Sequence, residues 1–484
     1  MAVKTREEYV ESLRKQKPKV FMAGERVENL VDHPMFQGTM SVIGAAYACA
    51  HEPKYKELAT LDSPLTNERI SRWNHIVQDE HDALAKVRLL RQMGDYFSPC
   101  TYRCITVDMI NAGWVTSYEI DRKYGTDYHQ RFINIVKDIQ RNDWTLGGTL
   151  IDPKGDRSLR PSQQSDPDMY LHIVDRRSDG IVVRGAKAHS SCAPVTNVIM
   201  AAPMSRPLNE NEKDYAVGFI TPVDTEGITY ICRTPPPRSG PSNVEENPYG
   251  SRFSAPVEAM AVFDDVFIPW ERVFMAGEHE FVGLLINVMT AFHMMSKCAC
   301  RPSSMDLNIG ATALAAEVNG TERAHHIREY LTDMISNAEL TYSCGLASAV
   351  DGEKHVSGVY IPKSLPACVG KVFAAKKLGE NRYYMQETAG GLVATMASEE
   401  DYRNPETASY IEKYYKGKEG MPTENRIRAF RLIEDLTGST SAGWYHAMAI
   451  TGGGTPGMLR PATLLDYDLE AAKTRAKKVA GIKD

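Results

Sequence analysis

A change of residue composition in the middle of the chain limits its possible folds more than any other feature. From about Gly147 to Pro269 the sequence is rich in glycine, proline and short β-branched runs, such as Ile181–Val183 and Ile228–Ile231. Such runs, separated by turn residues, are typical of the strands of a barrel or sandwich. We therefore predict a β-barrel here, with a proline-rich loop at Pro235–Tyr249.

The regions on either side of this segment have the periodicity of helices. Residues 1–145 are predicted to be mostly helical, most clearly over 67–94 and 101–142. Several long segments after Pro269 predict an antiparallel helical bundle, namely 278–300, 307–350, 363–389, 423–450 and 458–480. The predicted class is α+β, with an N-terminal α-helical domain (1–145), a β domain (146–276) and a C-terminal helical bundle (277–484).

Charge and apolar runs exclude several classes of function. The chain has 484 residues and a formal net charge of −6, without the basic excess that nucleic-acid binding requires. The longest apolar stretch, Phe281–Met295, is interrupted by Asn287, Thr290 and His293 and is shorter than the roughly 18 apolar residues of a membrane span. We expect no nucleic-acid partner and no membrane partner.

The cysteines indicate a reducing compartment. The N-terminus lacks the apolar segment of a signal peptide, and the chain has nine cysteines, an odd number that argues against a disulfide framework. We therefore expect a cytoplasmic protein whose thiols are ligands or core residues.

Four of these side chains have spacings that suit a metal site. Cys100 and Cys104 are four residues apart, and His293 and Cys300 are seven apart, so each pair shares one face of a helix. Three thiolates and an imidazole could hold an iron–sulfur cluster or a structural zinc ion. By spacing alone, buried core thiols are the commoner interpretation. Cys298 is offset from the shared face and is a weaker candidate.

Two polar segments of the β region could line a ligand. The segment 152–157 combines a flexible glycine with Lys154 and Arg157, which could meet phosphate or an electron-rich ring, although it could equally be an ordinary polar turn. The segment 184–191 places His189 among small residues and hydroxyls. It could form a flavin or substrate wall, or a turn with a surface histidine.

Two further positions have both a functional and a structural interpretation. Glu258 begins a predicted strand among apolar residues, where burial would raise its pKa and allow acid–base chemistry. It could also be an edge glutamate in solvent. The pair Gly390–Gly391 follows a helix and could pack on a cofactor or merely cap the helix. Because the chain has no glycine-rich dinucleotide fingerprint, any flavin would bind outside a Rossmann unit.

Taken in order, these motifs resemble the 4-hydroxybutyryl-CoA dehydratase family, which belongs with the flavin-dependent 4-hydroxyphenylacetate 3-hydroxylases. The resemblance runs nearly end to end. It includes residues 8–15, 31–35, 118–126, 152–157, 179–189, 262–269 and 389–392.

The resemblance implies an acyl-CoA dehydrogenase-like fold and a homotetramer with FAD near the subunit contacts. It also implies a [4Fe-4S] cluster held by three cysteines and one histidine, a pattern that falls on Cys100, Cys104, Cys300 and His293. The plain hydroxylases lack this set. The candidate cofactor-binding residues are Asp152, Lys154, Gly155, Asp156, Arg157, His189, Ser190, Ser191, Gly390 and Gly391.

The proton-handling residues depart from the family pattern. Glu258 matches one active-site carboxylate, and Ser191 stands where the dehydratase has threonine. The family's active-site tyrosine is replaced by Lys297, its lysine by Arg301, and its second carboxylate by Met448. The candidate catalytic residues are Glu258, His293, Lys297 and Arg301.

Three hypotheses follow. The first is a lyase or isomerase that depends on FAD and a [4Fe-4S] cluster and that dehydrates an acyl-CoA or moves its double bond. The second is a flavin-dependent aromatic hydroxylase that uses oxygen and no iron. The third is a zinc-stabilised relative without catalysis, favoured by the missing carboxylate at Met448.

Overall fold

The first third of the chain is mostly helical, as predicted. The computed structural model describes residues 3–96, 100, 102–203, 206–234 and 257–482, and the predicted loop Pro235–Tyr249 lies outside them. The elements here are α1 (Arg6–Arg14), β1 (Lys19–Met22), β2 (Glu25–Arg26), α2 (Pro34–Ala48), α3 (Lys56–Ala59), β3 (Thr60–Asp62), β4 (Arg69–Ser71), α4 (Glu80–Gln92), α5 (Cys104–Tyr124) and α6 (Tyr128–Arg141).

The middle of the chain supplies the strands. They are β5 (Leu146–Thr149), β6 (His172–Arg176), β7 (Gly180–Lys187), β8 (Val198–Ala201), β9 (Val217–Pro222), β10 (Ile228–Cys232), β11 (Ala259–Pro269) and β12 (Val273–Ala276). Burial alternates along much of β11, as in a strand with one face on the core, whereas all four residues of β8 are buried.

These strands form two open sheets and not the predicted β-barrel. One sheet has the order β2-β1-β10-β11-β7-β6 and the other β12-β9-β8-β5, and across the residues that the structure describes neither order closes on itself. Two strands of the larger sheet come from the N-terminal region, because Lys19–Met22 pairs in parallel with Thr229–Cys232. The α+β class is confirmed, and the domain limits at 145/146 and 276/277 stay a prediction.

The last part of the chain is helical and begins with a very long helix. The elements are α7 (Val282–Asn319), α8 (His325–Val350), β13 (Glu353–Lys354), β14 (Tyr360–Ile361), α9 (Ser364–Ala389), α10 (Leu392–Thr395), α11 (Glu399–Arg403), α12 (Ala408–Tyr414), α13 (Thr423–Thr437), α14 (Thr440–Thr451), α15 (Pro456–Asp466) and α16 (Leu469–Ala480). Helix α7 has 38 residues and ends at Gly320, whose φ of 69° is the left-handed cap expected of glycine.

The predicted break between 300 and 307 is wrong, because α7 continues through Pro302. A proline inside a helix removes one backbone hydrogen bond, yet burial of the side chains around it holds the helix together. The stretch His279–Asn319 is long and apolar enough to cross a membrane by composition, but most of its most apolar window is buried in the protein. Helix α7 packs against α4, α5, α8 and α9 as a core helix does.

Candidate active site

One stripe of α7 carries four of the predicted site residues. His293, Lys297, Cys300 and Arg301 stand at positions i, i+4, i+7 and i+8, which lie on one face of a helix. Helix α5 packs against this helix and begins at Cys104. The fold thus brings the two halves of the predicted ligand set, which are far apart in sequence, to one helix–helix contact.

The three thiols are buried together among cations. Cys100, Cys104 and Cys300 are each less than 8% exposed. A hydrogen bond from the Cys104 thiol lowers the pKa of Cys100 to about 6, and the charges of Lys297 and Arg301 act in the same direction. Burial raises the pKa of Cys300, although the same two cations oppose that effect. The hydrogen bond to Cys100 and burial raise the pKa of Cys104. These surroundings therefore favour the thiolate, the form that binds metals, at Cys100.

His293 is oriented by a buried carboxylate. Its Nδ1 lies 2.8 Å from Asp108 Oδ2, and Asp108 also accepts a hydrogen bond from Ser296 and an ion pair from Lys86. Burial lowers the pKa of His293, and the charge of Lys297 lowers it further. A neutral imidazole that donates a hydrogen bond from Nδ1–H to a carboxylate keeps the lone pair on Nε2 available, which is the arrangement that orients a metal ligand.

Glu258 connects this cluster to the β region. Ser191 Oγ donates a hydrogen bond of 2.7 Å to Glu258 Oε2. Burial raises the pKa of Glu258 to about 7, Arg233 opposes the shift, and the neighbouring Cys100 adds to it. The predicted base is therefore close to a predicted ligand, with a pKa suited to proton transfer at neutral pH.

The two polar segments of the predicted cofactor wall lie side by side. The Ala188 N–H donates to the Ile151 carbonyl at 2.7 Å, and Lys187 Nζ binds Asp152 Oδ1 at 2.5 Å. Asp152 thus joins the two segments, which is a structural role beside the predicted one. Partial burial lowers the pKa of His189, and the charge of the nearby Lys154 lowers it further.

The rest of this turn is exposed and locally organised. Lys154, Gly155, Asp156 and Arg157 are all exposed. Gly155 has a φ of 51°, and a Cβ there would lie 2.4 Å from Gln164 Oε1, so a glycine is needed for the turn itself. Asp156 accepts hydrogen bonds from the backbone and hydroxyl of Ser158.

Two buried hydroxyls on this wall lack partners. Thr149 Oγ1 and Ser190 Oγ have no hydrogen-bond partner among the residues described in the structure, and both side chains are completely buried. Thr149 lies two residues before Ile151 and Ser190 two residues after Ala188, and Ile151 and Ala188 form a β-bridge. A buried hydroxyl without a partner is costly, so a polar ligand at this wall would remove that cost.

Gly390 and Gly391 lie elsewhere. Both are exposed at the C-terminal end of α9, where Gly390 has a φ of 73° and its N–H bonds to the Gln386 carbonyl. The next residue, Leu392, packs on the apolar cluster of α13. Within this chain the pair caps a helix and is not part of the wall that contains Ser191.

Several site residues were not predicted from the sequence. Asp108 lies four residues after Cys104 on the same face of α5, a spacing that could have signalled it. Tyr102 is close to the same groups: burial raises its pKa, the charges of Cys100 and Glu258 raise it further, and the charge of Arg301 lowers it. Lys371 donates hydrogen bonds to the carbonyls of Ile450 and Gly454 at 2.6 and 2.5 Å. It is remote in sequence from the other site residues.

The Arg301 guanidinium contacts Tyr445 and Met448, and Met448 stands where the resembling family has a carboxylate. Its Nη1 donates to Tyr445 Oη at 2.7 Å, and its Nη2 lies 3.3 Å from Met448 Sδ. Tyr445 also bonds to Ser304 Oγ at 2.5 Å. The neighbours of this guanidinium in α14 are therefore a phenol and a thioether, where the resembling family has a carboxylate.

The four candidate ligands Cys100, Cys104, Cys300 and His293 are not all as close together as the ligands of a single metal ion. In the described part of the chain, the only set of three or more histidine, cysteine or acidic ligand atoms mutually within 4.8 Å is Asp79, His81 and Asp82, near the start of α4. No three of the ligand atoms of Cys100, Cys104, Cys300 and His293 meet that limit, although the thiols of Cys100 and Cys104 are hydrogen-bonded to each other.

The chain matches known proteins over nearly its whole length. Residues 5–275 match the family described as 4-hydroxyphenylacetate 3-hydroxylase N terminal, and residues 282–481 match the corresponding C-terminal family. A dehydratase from Clostridium aminobutyricum, 4-hydroxybutyryl-CoA dehydratase/vinylacetyl-CoA-Δ-isomerase, is 37% identical over 99% of each chain.

Two further matches span both branches of this group. A solved structure of an oxygen-tolerant archaeal 4-hydroxybutyryl-CoA dehydratase from N. maritimus superposes with a TM-score of 0.94 and 35% identity, covering 100% of this chain and 96% of the other. The oxygenase component of 4-hydroxyphenylacetate 3-monooxygenase from Thermus thermophilus is 26% identical and covers 90% of this chain and 88% of its own.

Proposed function

This chain belongs to the 4-hydroxyphenylacetate 3-hydroxylase family and is an enzyme, and from that premise we propose that it is a lyase or isomerase dependent on FAD and a [4Fe-4S] cluster. Its reaction is dehydration or double-bond isomerisation of an acyl thioester. The observation that carries the proposal is the contact between two groups of residues. The predicted ligands Cys100, Cys104, Cys300 and His293 meet where α5 packs on α7. One of them, Cys100, is close enough to the predicted base Glu258 for its charge to raise the pKa of that carboxyl.

The donor set fits an iron–sulfur cluster. Three buried thiols stand near two cations, which stabilise the thiolate form that iron binds. His293 is held by Asp108 with one ring nitrogen available. A carboxylate behind a ligating histidine is a common support of metal sites in proteins.

The spacing of the same side chains does not suit one zinc ion bound by all four, although Cys100 and Cys104 are close enough to hydrogen-bond to each other. A tetrahedral zinc ion with bonds of about 2.3 Å brings its sulfur ligands to about 3.8 Å from one another. In the described residues, no three of the candidate ligand atoms come mutually within 4.8 Å. A cluster with a ligand on each of four separate irons requires the wider arrangement.

The wall formed by the segments around Ile151 and Ala188 fits a flavin. Thr149 and Ser190 offer buried hydroxyls without partners, and Lys154 offers an exposed positive charge beside His189. Flavin ring edges carry polar atoms that such groups can bind. The oxygenase component of 4-hydroxyphenylacetate 3-monooxygenase has been solved in complex with FAD, which supports the same assignment.

The chain's own residues supply proton transfer and orientation. When bound, the flavin would supply one-electron steps and the cluster a Lewis acid. Glu258, with a pKa of about 7, can take the proton next to the thioester carbonyl near neutral pH. Ser191 fixes the carboxylate by its hydrogen bond, and Asp108 fixes the ring of His293.

The test is the iron, acid-labile sulfide and flavin content of protein purified without oxygen. We expect about four irons per subunit together with FAD. The Cys300→Ala variant should lose iron, whereas Cys298→Ala, which removes a buried thiol two residues away, should keep it. Unchanged iron and colour in Cys300→Ala would reject the ligand assignment.

The second candidate is the flavin-dependent aromatic hydroxylase. It is favoured by the names of both matching families and by the monooxygenase relative. It requires FAD without iron or sulfide, even after anaerobic reconstitution, and oxygen-dependent turnover with reduced flavin. Zinc without flavin would instead favour the non-catalytic relative. The homotetramer and the cytoplasmic location stay predictions.

A further inference from the structure

Three cations are buried beside the candidate ligands. Lys297, Arg301 and Lys371 are 5%, 1% and 1% exposed. Burial lowers the pKa of Lys371, and the charges of Arg301 and Lys297 lower it further. The three side chains therefore form one positive region, which lies next to Cys100 and Cys300.

None of the three is paired with a carboxylate of the described residues. Lys297 Nζ has no hydrogen bond or ion pair there, and Arg301 contacts the phenol of Tyr445 and the thioether of Met448. Lys371 is bound to two backbone carbonyls. Burying a charge without an opposite charge is expensive, so the region is built to receive negative charge.

The nearby acids are already engaged. Asp108 is shared by Lys86, His293 and Ser296, and Glu258 is bound to Ser191 and has Arg233 close by. A [4Fe-4S] cluster with three thiolates carries roughly one net negative charge. It would balance one of the three cations and leave a positive excess.

We propose that Lys297 and Arg301 form a binding site for a carboxylate of the substrate, which makes the substrate an acyl thioester with a second acid group. This rests on the proposed function for the thioester. Lys297 and Arg301 are one helical turn apart on the same stripe of α7, and a guanidinium binds a carboxylate through two parallel hydrogen bonds. Relative to the family pattern, lysine for tyrosine and methionine for a carboxylate both shift the charge toward positive.

The test compares two thioesters that differ only at the end of the acyl chain. Glutaryl-CoA ends in a carboxylate and valeryl-CoA in a methyl group, and their dissociation constants are measured by anaerobic calorimetry with the holoenzyme. We expect wild-type protein to bind glutaryl-CoA at least about tenfold more tightly, as a charge-assisted hydrogen bond predicts.

Variants separate a charge effect from loss of folding. Lys297→Met should reduce the preference to less than about threefold, whereas Lys297→Arg should retain it. Lys377→Met removes a partly exposed lysine that pairs with Glu380 on α9 and should behave as wild type. Arg301→Lys is a second conservative variant, and its iron content shows whether the cluster site is intact.

Each outcome decides the inference separately from the proposed function. Equal affinities in wild type, failure of glutaryl-CoA to bind, or an unchanged preference in Lys297→Met overturns the carboxylate site. Iron, sulfide and FAD without the preference leave the proposed function standing alone. The preference without iron or sulfide would support the carboxylate site and reject the cluster.

Discussion

The substitution Asp108→Asn tests the buried network behind His293 most directly. Asp108 is completely buried, and Lys86, which pairs with it, is 1% exposed. Asparagine keeps the size of the side chain but removes its charge. Among the described residues, the Lys86 ammonium would then be buried without a counter-ion, beside the ring of Phe292 at 5.2 Å.

The expected cost follows from that geometry. Removing one partner of a buried ion pair typically costs about 3–5 kcal/mol. At about 2.1 cal/mol/K of unfolding entropy per residue, a chain of 484 residues loses about 1 °C of melting temperature per kcal/mol. Asp108→Asn should therefore melt about 3–5 °C lower than wild type.

The assay is thermal unfolding of anaerobic protein, with iron content measured on the same samples. The double variant Lys86→Met/Asp108→Asn removes both charges and should recover most of the lost melting temperature. Iron affinity should fall by about 10–100-fold in both variants, since each removes the carboxylate that orients His293. A single variant that melts within about 1 °C of wild type, or a double variant that melts as low as the single one, would refute the reasoning.

Three other outcomes are expected. Because the pKa of Glu258 is about 7 against a usual 4.5, its base form predominates above neutrality. The kcat/KM should rise with pH through about 7, and Glu258→Gln should lose turnover and that rise while keeping flavin and iron. Met448→Glu should place a carboxylate against Arg301 but should not by itself restore 4-hydroxybutyryl-CoA dehydration, and substantial activity would show that the neighbouring substitutions matter less. Gly370→Ala would bring a Cβ within 2.6 Å of two cysteine side chains of α7 and α8 and should cost about 1–3 kcal/mol in thermal unfolding, whereas Gly310→Ala, with open space around it, should be neutral or stabilising.

Local periodicity was enough to predict much of the site on α7. The spacing of His293 and Cys300 indicated one helix face, and the structure has that face buried against α5. The predicted break between 300 and 307 does not exist, because tertiary burial around the helix outweighs the one hydrogen bond missing at Pro302. The α+β class could likewise be predicted from texture alone.

Partners that come from remote parts of the chain could not be predicted. Lys371 and Tyr445 join the site from α9 and α14, and nothing in their local sequence indicates this. The same holds for the sheet, where β1 lies beside β10 through a parallel pairing that spans about two hundred residues. Two open sheets and a barrel have the same alternation of buried and exposed residues, so the pattern cannot distinguish them.

The stripe on α7 has a consequence for how such enzymes diverge. His293 and Cys300 alternate along one helix with Lys297 and Arg301, so an insertion or deletion between them would rotate the ligands away from α5. Only exchanges of side chain at fixed positions leave the register intact. If Lys297 and Arg301 bind the substrate as proposed, point substitution at these two positions would change the substrate without changing the helical register, and the identities at 297 and 301 would be the first to compare between related enzymes.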